Sequence, residues 1–180
     1  MTYAVVLIKS YSLRGLKLFS LSNALRRLMK MHNNGTKCVF CKIIAGTERT
    51  VKVYEDDLCI AIMDIAPVNR GHLLVIPKKH YETVLEMPFK EAAHIFGVAC
   101  LIAKAVKKAL GAEGVNILQN NGRAAWQHVF HVHVHVIPRW VGDEIYVYWP
   151  AKLSNLDELE NVAISIRRSL NMIKGEVDSK

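Results

Sequence analysis

The sequence lacks an apolar run long enough to cross a membrane, and it has few cysteines. Its first apolar run, residues 3–8, ends at Lys9, whereas a membrane span needs roughly 18 apolar residues. Only four of the 180 residues are cysteine, and no secretory signal pattern argues for an oxidising compartment. With 51% hydrophobic and 22% charged residues, we expect one main globular domain that is cytoplasmic and not stably inserted in a membrane.

Acidic residues are absent from the first 37 positions, which hold seven lysines and arginines. The remaining 143 residues carry 17 basic and 16 acidic side chains, so most of the formal charge of +8 lies in the N-terminal stretch. A domain whose face binds a phosphate backbone should itself be basic. Because the main domain is nearly neutral, we expect no nucleic-acid partner.

We interpret residues 1–37 as a basic extension, 38–142 as the main domain and 143–180 as a C-terminal tail with a helix. Three interpretations of the extension are open: an organelle transit peptide, a membrane-surface or partner-binding arm, or a disordered or wrongly assigned start before Met31. The first would change the expected location from the cytoplasm to an organelle. An amphipathic helix is indicated by leucines at three- and four-residue spacing: Leu18, Leu21, Leu25 and Leu28.

The spacing of apolar and turn residues predicts an α+β fold with a mainly antiparallel sheet. Pro88 suits the first turn of a long helix that ends at Gly111. Ser154 and Asp157 predict a capping box for a last helix. The other predicted elements are a helix over 39–45 and strands over 51–54, 58–65, 72–76, 115–119 and 129–137.

Two cysteines and one histidine are assigned structural places. Cys59 and Cys100 stand in apolar settings and are expected to be buried as small hydrophobic residues. His94, on the long helix, is expected to be structural or solvated. None of the three is assigned to a functional site.

Three histidines alternate with valines near the end of the main domain: His131, His133 and His135. On a strand, alternate residues share a face, so the imidazoles would form one row of roughly 13 Å while the valines bury against the core. Imidazole titrates near pH 6.5, and neighbouring rings can therefore divide nucleophilic and proton-donating roles. Three collinear residues converge poorly on one metal ion, whereas phosphate spreads its oxygens over several contacts.

This row resembles the motif of the histidine triad (HIT) family. The resemblance covers nearly all of residues 38–140 and implies a HIT-like fold, with a mainly antiparallel five-stranded sheet, one long helix and a C-terminal helix. It rests on the triad and on four ordered blocks: Cys-Val-Phe-Cys-Lys-Ile-Ile-Ala-Gly at 38–46, Val-Tyr-Glu-Asp-Asp at 53–57, Gly-His-Leu-Leu-Val-Ile-Pro-Lys-Lys-His at 71–80, and Asn-Asn-Gly at 120–122.

The resemblance implies covalent catalysis at the α-phosphorus of a nucleotide. The family pattern makes His133 the nucleophile, which forms a nucleotidyl-histidine intermediate that water then cleaves. The main-chain carbonyl of His131 would fix the tautomer of His133. His135 would hydrogen-bond the phosphate, and His72 would belong to the histidine network behind the nucleophile.

The same resemblance assigns residues that hold the substrate. Gln127 matches a glutamine on the leaving side of the phosphate, and Asn120 matches a phosphate-contacting asparagine. Asp64 would accept hydrogen bonds from the ribose hydroxyls, which suits an acceptor-only group. Three apolar residues would wall the base, although ordinary core packing explains them as well: Phe40, Ile43 and Ile65.

A two-cysteine, two-histidine set is also implied by the resemblance to bacterial and archaeal relatives that bind zinc. The spacing of Cys38 and Cys41 can bind metal or cycle as a dithiol. With His80 and His131 these residues would hold a structural zinc ion. A free thiol pair and a disulfide are the alternatives.

Two positions depart from the family pattern in the loop before the triad. Trp126 stands where relatives usually have glycine, and His128 stands where they usually have serine or threonine. Trp126 puts bulk where the backbone normally approaches the phosphate, and His128 replaces a small hydroxyl donor. These departures leave the nucleophile in place and put the substrate preference in doubt.

The predicted function is a nucleotide hydrolase that cleaves at the α-phosphate of a purine nucleotide such as an AMP derivative. An adenosine phosphoramidate and a diadenosine polyphosphate are the candidate substrates. The alternatives are a nucleotide-binding module with little turnover, a nucleotidyltransferase or phosphorylase, and a metal-handling protein. As in the family, a homodimer is expected.

Overall fold

The computed structural model describes residues 38–145, 151 and 153–178. The predicted extension, with its leucine row, lies outside the described residues. The described residues fall into two compact units divided between Tyr146 and Val147. The first unit contains α1 (Val39–Ile44), β1 (Lys52–Glu55), β2 (Cys59–Met63), β3 (Leu73–Pro77), α2 (Phe89–Leu110), β4 (Gly114–Gln119) and β5 (Val134–Arg139), with short 3-10 turns at Val84–Glu86 and Arg123–Ala125; the second contains α3 (Leu156–Asp178).

The five strands form one antiparallel sheet in the order β1-β2-β3-β5-β4, which confirms the predicted fold class. Its central strands are almost continuously apolar because both faces of the sheet are covered. Residues of α1 pack on one face, and those of α2 pack on the other. The valines that alternate with the histidines are fully buried on the α2 side, as predicted: Val132, Val134 and Val136.

Helix α2 begins after Pro88 and ends at Gly111, as the sequence predicts. Its buried positions repeat at helical spacing and form one stripe against the sheet: Ile95, Val98, Ala99, Ile102 and Val106. Gly111 has a φ of 63°, the left-handed conformation that ends helices and that glycine adopts without a Cβ clash. This packing covers the back of the histidine-bearing strand.

The predicted histidine strand is too long at its start. Regular pairing begins at Val134 and not at Val129, because the ladders with β3 and β4 both end at Val134. The main-chain N–H of Val132 donates instead to the carbonyl of Tyr81, at 2.8 Å. His135 therefore stands on a strand, while His131 and His133 precede it in an irregular segment.

Two further predictions are corrected. Cys100 is exposed because it lies next to the buried stripe of α2 on the outward side, whereas Cys59 is buried as predicted. The last helix begins as expected, but Asn155 and not Ser154 caps it, since the Asn155 Oδ1 atom accepts the N–H of Glu158 at 2.8 Å. Ser154 donates to the side chain of Glu158.

Helix α3 is amphipathic, and the large apolar side chains of its described part are exposed. Among the described helices, none combines the length and the apolar composition that crossing a membrane requires.

Candidate active site

Antiparallel pairing of β3 with β5 brings two parts of the sequence together at the histidines. His72 immediately precedes β3, and Leu74 of β3 is paired with His135 of β5. The ring centroids of His72 and His135 lie 5.1 Å apart, and the ring centroids of His133 and His135 lie 4.9 Å apart. His72 and His133 are buried. The structure therefore assembles His72, His133 and His135 in one cluster, called the histidine cluster below.

His133 has a defined tautomer. Its Nδ1 atom lies 2.7 Å from the carbonyl oxygen of His131, and because a carbonyl can only accept, Nδ1 carries the proton. The Nε2 atom of a neutral His133 then keeps its lone pair. Burial lowers the pKa of His133, although the hydrogen bond to the His131 carbonyl opposes this effect. A neutral ring with a free nitrogen lone pair is the form a nucleophile needs.

A chain of hydrogen bonds fixes the tautomer of His135. The main-chain N–H of Val68 donates to Nδ1 of His72 at 3.3 Å, so the proton of a neutral His72 is on Nε2. This Nε2–H donates to Nδ1 of His135 at 2.9 Å. His135 must then carry its own proton on Nε2, where it can donate to an anion. Burial, and then His133 and His72, lower the pKa of His135 to about 2, so the ring is a neutral donor.

Asp64 follows β2 and lies beside the hydrogen bonds that link His72 to His135. Its Oδ1 atom accepts the N–H of Ala66 at 2.8 Å, and its Oδ2 atom lies 3.4 Å from Nδ1 of His72. Burial lowers the pKa of His72 even though the Asp64 carboxylate opposes it. The carboxylate keeps lone pairs for a further donor, which is compatible with the predicted ribose contact.

The three predicted base-wall residues differ in their surroundings. Phe40 is buried, and its ring lies 5.2 Å from that of His133, so core packing accounts for it. Ile43 is half-buried against the same core cluster. Ile65 is 81% exposed beside Asp64, and core packing does not explain it. The assignment of a base to this side stays a prediction.

Gln127 holds the loop before the triad through its buried side chain. Its Oε1 atom accepts the N–H of Gly122 at 2.7 Å, and its Nε2 atom donates to the carbonyls of Glu82 and Val129. Both amide protons are therefore used, and none is left for a leaving group in this conformation. Within residues 38–145 the Asn120 carboxamide makes no hydrogen bond and is available for a phosphate oxygen.

The predicted metal ligands converge on one point. The Nδ1 atom of His131 lies 3.5 Å from the Cys38 sulfur, 3.6 Å from the Cys41 sulfur and 3.2 Å from Nδ1 of His80. The Cys41 sulfur is 3.3 Å from Nδ1 of His80. In a tetrahedral zinc site, the usual zinc–sulfur and zinc–nitrogen bond lengths place the ligand atoms roughly 3.3 to 3.8 Å from one another. The four side chains thus fit a zinc ion, and Cys38 and Cys41 are free cysteines.

Outer contacts also suit a metal. The Nε2 atom of His131 lies 2.9 Å from the carbonyl oxygen of Pro77, to which it donates, and this leaves Nδ1 free to bind. Burial lowers the pKa of His131 to about 4, so the ring is neutral at pH 7. Among the described residues, His131 clusters with Cys38, Cys41 and His80, whereas His135 clusters with Asp64 and His72. The triad histidines therefore do not converge on one ion.

A family model of the HIT domain matches residues 45–141, which are more than half of the chain. The chain belongs to the HIT family. The match includes the triad and the strands that position it, but it begins after the two cysteines. The matched region therefore contains the whole histidine cluster. The predicted metal ligands lie partly outside it, because Cys38 and Cys41 precede residue 45.

Curated HIT relatives include two enzymes. The chain is 49% identical over 102 residues to an adenylylsulfatase, HINT3, of Arabidopsis thaliana, a match that covers 57% of this chain and 52% of that protein. It is 43% identical over 126 residues to an adenosine 5'-monophosphoramidase of Schizosaccharomyces pombe, covering 68% of this chain and 90% of the relative. The chain thus spans about half the length of the first of these relatives.

Solved HIT structures share the fold. A HIT protein of Bacillus subtilis has a TM-score of 0.70 at 39% identity, covering 74% of this chain and 96% of that one. A zinc-bound histidine triad protein of Mycobacterium smegmatis has a TM-score of 0.60 at 42% identity, covering 64% and 84%. These neighbours confirm the α+β HIT-like fold.

Sequence reasoning missed several groups around the HIT histidines. The N–H of Val68 and the carbonyl of Pro77 set the tautomers of His72 and His131. Main-chain groups carry no side-chain signal, so only the fold reveals them. Asn121 was passed over within the Asn-Asn-Gly block, yet its Oδ1 atom accepts the N–H of Val84 and ties the triad loop to the segment after His80.

His94 is structural, as predicted. Its Nε2 atom lies 2.8 Å from Oδ2 of Asp56 and links α2 to the turn between β1 and β2. His94 therefore lies outside the histidine cluster, and residue type alone does not distinguish it from the members of that cluster.

Proposed function

We propose that this HIT protein is a nucleotide hydrolase that uses His133 as its nucleophile. The observation that carries the proposal is the pair of defined tautomers: a free Nε2 lone pair on His133 beside an Nε2–H donor on His135. A nucleophile next to a hydrogen-bond donor is the arrangement that substitution at phosphorus requires. These contacts come from the protein alone and need no substrate to form.

In the proposed reaction, the His133 Nε2 lone pair forms a bond to the α-phosphorus while the bond from phosphorus to the leaving group breaks. The leaving group departs with the bonding electron pair and takes up a proton from solvent, while His135 donates a hydrogen bond to a phosphate oxygen. Water then attacks the same phosphorus and gives up a proton to solvent, and the bond to His133 breaks and returns the lone pair to Nε2. The sum is hydrolysis with the protein unchanged.

The proposed substrate is a purine nucleotide, with an adenosine phosphoramidate or a diadenosine polyphosphate as the class to test. The names of two relatives, an adenylylsulfatase and an adenosine 5'-monophosphoramidase, support an adenylyl group. Asp64 is assigned to the ribose hydroxyls and Ile65 to the base, supported by the free carboxylate lone pairs and by the exposure of Ile65. Asn120 is assigned to a phosphate oxygen.

We assign Gln127 to the loop and not to the leaving group. Its two amide protons already bind carbonyl oxygens, and breaking those bonds would leave buried polar groups unpaired. The loop that it closes carries Trp126 and His128, the two departures from the family pattern. Gln127 thus acts on the substrate through the backbone that it holds.

Zinc is the proposed metal, held by Cys38, Cys41, His80 and His131. Four protein ligands leave no open position, so the ion would be structural. The tetrahedral spacing and the zinc-bound neighbour support this assignment. The protein's own contribution is the orientation of His131, whose carbonyl oxygen in turn orients His133.

A homodimer and a cytoplasmic location remain proposals. The outward side of α2 carries exposed apolar side chains that a second copy could cover, among them Phe89, Phe96 and Leu101. Sedimentation of the purified protein would measure the dimer.

The function is tested with mass spectrometry after mixing the protein with adenosine phosphoramidate and with diadenosine tetraphosphate. We expect a nucleotidyl adduct on His133 and release of AMP from at least one donor. His133→Asn should lower turnover by at least about a thousandfold because asparagine has no nucleophilic nitrogen. His94→Asn is the matched control, since His94 lies outside the cluster, and it should keep activity. Turnover retained by His133→Asn would refute the proposal.

The same experiment decides the second candidate, a nucleotide-binding module with little turnover. The observation that favours it is the bulky Trp126 in the triad loop. An adduct that forms once and is not hydrolysed would support this candidate over the hydrolase.

A further inference from the structure

Trp126 adopts a backbone conformation that large residues avoid. Its φ and ψ are 62° and 30°, in the left-handed region. Among the described residues, Glu144, with a φ of 57°, is the one other non-glycine residue with a positive φ. Such conformations are uncommon outside glycine, asparagine and aspartate, and they persist where the surrounding structure enforces them.

The loop enforces this conformation through hydrogen bonds on both sides of Trp126. The Trp126 N–H donates to the carbonyl of Arg123 at 3.0 Å, and the N–H of Gln127 donates to the carbonyl of Gly122 at 3.1 Å. The buried Gln127 side chain closes the loop from within. These contacts use the main chain at position 126, so a glycine would make the same bonds without a Cβ clash.

Core packing does not explain the tryptophan. Its side chain is 55% exposed, so its apolar surface is only partly removed from water. A strained, half-exposed indole that the fold does not need is the pattern expected of a side chain that contacts a ligand.

The position of Trp126 in the chain relates it to the leaving group. It directly precedes Gln127, whose side chain donates to the carbonyl of Val129, four residues before His133. His133 is buried and attacks from within the protein, so a leaving group in line with the attack departs toward solvent. A partly exposed side chain in the loop that leads into the triad can meet such a leaving group in solvent.

We propose that Trp126 determines specificity for the leaving group, and that its indole stacks on substrates whose leaving group carries a nucleobase or another flat aromatic ring. This inference rests on the proposed function and adds a substrate class to it. Stacking of a base on an aromatic side chain changes affinity by about tenfold or more. The strain at position 126 would then be retained for selectivity at the expense of stability.

The test uses two AMP phosphoramidates that share the nucleotide and the phosphorus–nitrogen bond. One has tryptamine as its leaving amine, and the other has n-propylamine. We expect the ratio of kcat/KM for the aromatic over the alkyl substrate to fall by about tenfold in Trp126→Ala and Trp126→Gly. Trp126→Phe should keep most of the ratio, because it retains a stacking ring.

Glu144→Gly is the matched control for backbone strain. Like Trp126→Gly, it replaces an exposed residue of positive φ with glycine and relieves the same kind of backbone strain. The substrate ratio should change in Trp126→Gly alone. An unchanged ratio in Trp126→Gly, or an equal change in Glu144→Gly, would overturn the inference.

Failure of the proposed function has a different signature, because the wild-type protein would then turn over neither amidate. The inference remains decidable through binding, with turnover blocked by His133→Asn. In that background, Kd for the tryptamine amidate should rise by about tenfold on adding Trp126→Ala, and Kd for the propyl amidate should rise less. Equal changes in the two Kd values would overturn it.

Discussion

His133 differs from the other triad histidines in the group that its Nδ1 atom contacts. That atom donates to a main-chain carbonyl, whereas Nδ1 of His131 faces the metal ligands and Nδ1 of His135 accepts from His72. Three residues of one type thus have two protonation patterns: His133 carries its proton on Nδ1, whereas His131 and His135 carry it on Nε2. The nitrogen that keeps its lone pair is selected by hydrogen-bond partners and not by residue type.

Burial of neutral histidines predicts a loss of stability in acid. The pKa of His135 is about 2 in the folded protein and near 6.5 when unfolded, so the unfolded state binds more protons below pH 6.5. Stability is therefore greatest above pH 6.5 and falls as the pH drops below it, by up to about 1.4 kcal/mol per pH unit for this group.

Urea unfolding at pH 7.5, 6.5, 5.5 and 4.5 measures this slope. In His135→Asn, which cannot titrate, the free energy of unfolding should decline less steeply than in the wild-type protein. Parallel declines in the two proteins would show that His135 does not contribute. Both proteins keep the same metal set, so acid release of metal affects them alike.

At the scale of elements, α2 and the sheet hold the histidine strand from behind. The buried stripe of α2 packs on the face opposite the imidazoles, together with Val132, Val134 and Val136. Because the valines alternate with the histidines, the strand cannot shift by one residue without burying imidazoles in the apolar core. The register of the active site is therefore fixed by hydrophobic packing.

Ile95 tests this support, since it is 2% exposed at the start of the stripe. Ile95→Ala should lower the free energy of unfolding by about 2 to 5 kcal/mol, because it leaves a cavity against the sheet. Ile65→Ala removes the same atoms from a side chain that is 81% exposed, and it should change stability by less than about 0.5 kcal/mol. Chemical denaturation measures both, and equal losses would contradict the packing argument.

At the scale of the molecule, the proposed zinc site joins segments that are far apart in sequence. Cys38 and Cys41 belong to α1 and the residue before it, His80 follows β3, and His131 precedes β5. The contacts within this set span 39 to 93 positions. A metal here would tie helix α1 to the segment that carries the proposed nucleophile.

Metal removal should therefore weaken both fold and activity. We expect about one zinc ion per chain by elemental analysis, and a lower Tm and slower turnover after treatment with a strong chelator. Cys41→Ser should reduce the bound zinc, whereas Cys100→Ser, which alters an exposed cysteine outside the set, should not. A metal-free protein with the Tm of the purified one would contradict a structural zinc site.

The sequence by itself determined the elements and the residues of the site. The spacing in α2, the apolar strands and the alternation of valine with histidine depend on neighbours along the chain, and local periodicity reports them directly. The family pattern also singled out the histidines of the cluster and the four converging metal ligands. The start of the histidine strand was predicted wrongly because strand pairing depends on where β3 and β4 end.

Only the tertiary structure decided the hydrogen-bond partners of each site residue. The tautomers of His72 and His131 follow from the N–H of Val68 and the carbonyl of Pro77. Both are main-chain groups, and both residues lie far from the triad in sequence. The commitment of Gln127 to the loop and the left-handed backbone of Trp126 arise in the same way. Hydrogen-bond partners and backbone strain are properties of the assembled fold, so the chain pattern alone does not contain them.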